Sequence, residues 1–135
     1  MATKTITIAT VIDVVGALAS DTLSEHIYLM DTNKANGSTG VGTENLKTMV
    51  KKGDRLVWTL LTLECEAHAI IEDIIIDKDY CEPKKKTYEG TDITYWVGTV
   101  KKDVKVAPYK IKFKVGSRVQ EMTIASTPCL VGKGV

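Results

Sequence analysis

Much that would announce a function is missing from this sequence. No apolar run approaches the length of a membrane span. Neither charge sign dominates: 18 Lys and Arg face 17 Asp and Glu, a formal net charge of +1. Nothing therefore pulls the whole chain toward nucleic acid or an anionic membrane. Cysteine is scarce, and Cys65, Cys81 and Cys129 form an odd number without CxxC spacing. That argues against a disulfide framework or structural zinc and for free thiols in a reducing compartment, with a single Cys65–Cys81 bridge as the alternative. His26 and His68 are isolated and lack metal-site spacing. Cys65 and His68, three apart, would point to opposite faces of a strand and make a poor nucleophile–base pair. There is no G-x-S-x-G elbow and no H-E-x-x-H. Glu72, Asp73, Asp77 and Asp79 are numerous, but nothing in the sequence pairs them across a cleft. No enzyme is expected.

What is present is a β-rich pattern in 135 residues, 44% of them hydrophobic, enough for one domain over 1–135 with a real core. No internal repeat, low-complexity segment or linker divides it. Lys4, an apolar stretch and Ala17-Leu18-Ala19-Ser20 imitate a signal peptide. Asp13 and Thr3, Thr5, Thr7 and Thr10 interrupt that stretch, and Ile6, Ile8, Ile12 and Val14 alternate. A strand over 3–15 is expected instead, bulged because Val11 and Val15 fall out of phase. Further strands are expected over 25–31, 55–64, 93–100 and 109–115. The last alternates Tyr109, Ile111, Phe113 and Val115 with Lys110, Lys112 and Lys114. Segment 67–76 reads as strand or helix. Gly116-Ser117 suggests a hairpin turn into Val119–Ala125. A helical turn is expected within 44–52 and a loop over 82–92. The sum is an all-β, immunoglobulin-like antiparallel β-sandwich of about seven to eight strands, with Trp58 filling the space between the sheets.

The loop Asp31–Glu44 carries the most information. It holds Gly37, Gly40 and Gly42 among small polar residues, and such a segment is costly to order. Gly37 to Gly42 has the G-x4-G spacing of a phosphate loop, but Thr43 and Glu44 stand where Lys and Ser or Thr should follow. Asp31, Asn33, Asn36 and Glu44 offer oxygens to calcium, though Ala35 and Gly42 break the EF-hand pattern. The plainer reading is a loop whose Asn and Thr side chains bond their own backbone. If the loop is a site, Asp31, Asn33, Asn36 and Ser38 would meet sugar hydroxyls, with Tyr95 or Trp96 stacking on a sugar face. The strip Lys101, Lys102, Lys105, Lys110, Lys112 and Lys114, with Tyr95, Trp96 and Tyr109 nearby, lacks arginine and reads as a solvated strand face, not a nucleic-acid surface.

Over Ile27–Trp58 the chain resembles the AidA/PixA family of bacterial proteins, often labelled inclusion body proteins. The residues that carry this are Tyr28-Leu29-Met30-Asp31, the glycine loop from Gly37 to Leu46, and the Gly53-Asp54 turn into a strand ending at Trp58. The Ile-rich opening strand with Asp13 also fits. The resemblance implies a cytoplasmic bacterial β-sandwich without known catalysis, linked to quorum-regulated or late-growth expression and to crystalline inclusions. Inclusion-forming members are methionine-rich, whereas this chain has Met1, Met30, Met49 and Met122. Two functions follow as expectations. One is self-association into homo-oligomers, a dimer first. The other is a lectin-like module binding a glycan through the Asp31–Glu44 loop, with calcium as its one candidate cofactor.

Overall fold

The computed structural model describes residues 4–64, 67–91, 93–116, 122–124 and 127–132. The elements run β1 (Thr5–Ile12), α1 (Val14–Ser20), β2 (Ile27–Asp31), a 3-10 turn (Lys34–Asn36), β3 (Lys47–Val50), β4 (Arg55–Thr62), β5 (Ala69–Ile76), β6 (Lys84–Thr87), β7 (Thr94–Thr99), β8 (Val106–Val115) and β9 (Cys129–Gly132). They form a five-stranded sheet, β2-β1-β4-β7-β6, and a four-stranded sheet, β3-β9-β8-β5.

The inner faces are written in the alternation. Ile6, Ile8, Thr10 and Ile12 of β1 are buried, as are Leu56 and Trp58 of β4. From the other sheet, Ala107, Tyr109, Ile111, Phe113 and Val115 of β8 face them. Trp58 fills the space between the sheets as expected, its ring edge-on to Tyr109 at 5.8 Å between centroids. Lys110 and Lys114 alternate with these residues and are exposed.

Both sheets are mixed, which corrects the antiparallel expectation. β1 runs parallel to β4 and β3 parallel to β9. Between β1 and β4 the chain passes through β2 and then β3 in the opposite sheet, a crossover long enough to return in the same direction. Nine strands stand among the described residues, one or two more than expected.

Three local expectations are also corrected. The strand expected over 3–15 stops at Ile12, because the Asp13 carboxylate accepts from Gly16 N and caps α1. The helix closes at Asp21, which adopts the left-handed conformation. Within 44–52, Lys47–Val50 is strand β3, since Thr48 and Val50 turn inward beside Leu130 and Gly132 of β9. The loop expected over 82–92 contains β6, whose Lys84–Thr87 are all exposed at the sheet edge. Segment 67–76 resolves as strand, with a bulge between Ile71 and Asp73. The hairpin after Gly116 falls mostly outside the described residues, although Met122 pairs with Phe113.

Candidate functional site

β2 delivers Asp31 to the mouth of the glycine loop, and that loop closes upon itself. Asp31 Oδ1 accepts from Asn33 N at 2.8 Å, an Asx turn. Asn33 is buried and fully engaged. Its Nδ2 donates to Met49 O, and its Oδ1 accepts from Lys4 Nζ at 2.6 Å and Asn36 Nδ2 at 2.8 Å. Ser38 is buried and accepts from Met49 N.

Further along, the loop pairs with both sheets. Gly42 N donates to Leu29 O and Leu29 N to Thr43 O, while Thr39 and Lys47 exchange both backbone bonds. The outer edges of β2 and β3 are thereby covered by one segment. Gly40, at φ +72, makes the reversal, and a Cβ there would strike the Asn45 carbonyl.

The structure brings Asp31, Asn33, Asn36 and Ser38 together and separates the others. Glu44 reaches back to Glu25 N, beyond the opposite end of β2 from Asp31. The Asn33 oxygen that calcium would use faces the Lys4 ammonium. Among the described residues no group of three or more His, Cys, Asp or Glu could hold a metal ion. Trp96 lies on β7, across β1 and β4 from the loop, and is buried with Nε1 donating to Ile71 O. Its ring is core and offers no stacking face. Tyr95, half-buried, faces outward beside Lys86 of β6. Beside the loop lies a cleft of about 260 Å³, lined by Lys4, Asn33, Asn36, Met49, Lys51 and Asp54.

Two further groupings were not visible in the sequence. At α1, His26 Nε2 lies 3.0 Å from Ser20 Oγ, and its Nδ1 lies 3.7 Å from Asp13 Oδ2. The order Ser–His–Asp imitates a catalytic triad, but the Ser20 hydroxyl donates to Gly16 O at 2.7 Å. Ser20 also ends the helix, where carbonyls rather than N–H groups are presented. The cluster is a helix clamp, completed by Glu64, which accepts from Val14 N. Contact with the Glu64 carboxyl, then the Gly16 N–H and the His26 ring, holds the Asp13 carboxyl below its ordinary range, against an opposing push from desolvation.

Between the sheets, Thr10 Oγ1, Asp31 Oδ2, Thr48 Oγ1, Trp58 Nε1 and the Tyr109 hydroxyl are buried without a well-formed hydrogen bond. Burial pushes the Tyr109 hydroxyl far up, with the Trp58 N–H opposing and the Asp31 carboxylate adding to the rise. Cys81 is buried and its thiol is pushed up to about 11, mainly by desolvation, so it stays protonated and unreactive. Cys81 and Cys129 are free; Cys65, and with it the bridge and the Cys–His pair considered above, lies outside the described residues.

Residues 4–120 match the model of a family described as a domain of unknown function, DUF8788. The chain belongs to that family. No curated protein sequence matches it. Among solved structures, the crystal structure of the inclusion body protein PixA from Burkholderia cenocepacia J2315 is similar, with a TM-score of 0.69 and 15% identity. That likeness covers 100% of this chain and 97% of that one. The solution structure of amebosin matches with a TM-score of 0.36 and 8% identity, over 66% of this chain and 90% of that one. This DUF8788 chain thus has an AidA/PixA-like fold, as the Ile27–Trp58 segment led us to expect. No helix among its described residues is long and apolar enough to cross a membrane.

Proposed function

We propose that this protein works without catalysis, by associating with copies of itself, in a reducing cytoplasmic setting where its thiols stay free. The observation that carries this reading is the contrast between the two flanks of the sandwich. One flank is closed by the glycine loop, which pairs with β2 and β3. On the other flank no described strand pairs with the outer edges of β5 and β6. Unpaired edges are templates for further strands. The full-length likeness to a protein named for inclusion bodies supports the same reading. Sedimentation equilibrium from micromolar to near-millimolar protein tests it. A mass rising with concentration, a dimer first, is expected; a monomer throughout would sink the reading.

A second reading, lectin-like glycan binding, is favoured by the polar cleft beside the loop, where exposed Asn36 stands over Lys51 and Asp54. A glycan array with calcium, and again with chelator, tests it. Selective binding lost in Asn36→Ala supports this reading, and chelator sensitivity would add calcium to it. A blank array in both conditions removes it.

A further inference from the structure

The edges of β5 and β6 that no described strand pairs carry opposite charges. β5 has Glu72 and Asp73 at its centre, while β6 has Lys84, Lys85 and Lys86 in succession. Glu72 lies on the outer face of its sheet, near Lys114 at 3.9 Å. Lys84 and Lys86 also lie on an outer face, because Lys85 is in register with the inward-facing Trp96. Between these edges runs a groove of about 450 Å³, bordered by Asp73 and Ile76 on one side and by Cys81 and Lys84 on the other.

These charges act against pairing like with like. Two β6 edges brought together would oppose lysine to lysine, and two β5 edges would oppose acid to acid, both unfavourable across strands. A β5 edge against a β6 edge sets Glu72 beside Lys84 and Lys86. Both edges lie on the same flank, opposite the loop that ties β2 to β3. A two-fold axis along the strands would exchange the two sheets, so β5 of each copy would meet β6 of the other at the same time.

The strand directions agree with this arrangement. β4 and β6 are both antiparallel to β7 and so run the same way. Gly116, just after β8, lies against Leu18 of α1, which follows the end of β1, so β8 runs with β1, β4 and β6, and β5, antiparallel to β8, opposes β6. A two-fold axis along the strands preserves that relation, and the joined edges would be antiparallel. We infer that the partner of this flank is a second copy of this chain, held by reciprocal β5–β6 edge pairing with Glu72 against Lys84 and Lys86. This inference rests on the self-association reading and names its interface.

The test is sedimentation velocity on the full chain, wild type against Lys84→Glu/Lys86→Glu, Glu72→Lys, and the triple variant combining them. All three positions lie outside the core, and circular dichroism confirms folding before each run. The expected result is association weakened about tenfold or more in each separate charge reversal and recovered in the triple variant. Association should also weaken as salt rises. If the reversals leave the association constant unchanged, the edge interface is overturned while self-association stands. If Tyr28→Lys/Leu61→Lys alone abolishes association, the contact lies instead on the outer face of the five-stranded sheet. Tyr28 and Leu61 are exposed there, either side of Val11. A wild type that stays monomeric overturns both the interface and the reading beneath it.

Discussion

At the scale of single residues, Asp13 does more than its place in an apolar N-terminal stretch suggests. It ends β1, caps α1 through Gly16 and meets His26. Its carboxyl is held below the ordinary range in the folded chain, through Glu64 first and then Gly16 and His26. A depressed carboxylate adds stability above its unfolded value, near pH 4, and loses it as the pH falls through the folded value. Urea unfolding of the wild type and Asp13→Asn should therefore differ more at pH 6 than at pH 3. A gap that is constant with pH would show that Asp13 acts through capping geometry alone. Asp31 is the other residue with two roles. One oxygen organises the loop through Asn33, while the other turns inward toward the layer of Trp58 and Tyr109. The sequence offers Asp31 as a ligand-facing residue, and in the fold one of its two oxygens is buried.

At the scale of elements, the glycine loop is an edge cover as well as a candidate site. Gly37, Gly40 and Gly42 all take a positive φ, and at Gly40 one backbone also closely approaches another. Gly40→Ala adds a Cβ against the Asn45 carbonyl at a positive φ, and should destabilise the fold by about 2 kcal/mol. Chemical denaturation measures this, and a loss under about 0.5 kcal/mol would mean the loop yields without consequence. The long strands were legible in the sequence because one face of each is buried. β8 shows it best, with Tyr109 to Val115 alternating against lysines. β6 was illegible for the opposite reason: three lysines and a threonine at an edge bury nothing and leave no periodicity. α1 was hidden because Val14 continues the isoleucine phase of β1, while the signal that stops the strand is the single side chain of Asp13. Of the candidate site, the cluster from Asp31 to Ser38 could be read as a unit. The placement of Trp96 in the core could not, since its burial depends on β5 packing across from it.

At the scale of the whole molecule, the two flanks divide the labour. The closed flank spends a glycine-rich loop on satisfying edge backbone groups, and the open flank carries the charge pattern from which a two-fold pairing was inferred. In such a dimer each sheet would run on into the other kind of sheet from its partner, with no new fold required. Free thiols fit the same picture. Cys81 is shielded and protonated, so association would not depend on oxidation there.

The position of β9 has its own consequence for how the molecule comes into being. β9 lies between β3 and β8 in the four-stranded sheet, although it follows both in the chain. Until residues Cys129–Gly132 have left the ribosome, β3 has no described strand to join in its own sheet, and β8 has β5 as its one described strand partner besides the Met122 bridge. The five-stranded sheet, by contrast, needs nothing beyond Thr99. Spatial order departs from birth order in both sheets, since β7 likewise lies between β4 and β6, but that gap is filled by Thr99 and the one at β9 only near the end of the described chain. During synthesis the nascent chain would carry one finished sheet and one in two parts, with the latecomer acting as the clasp.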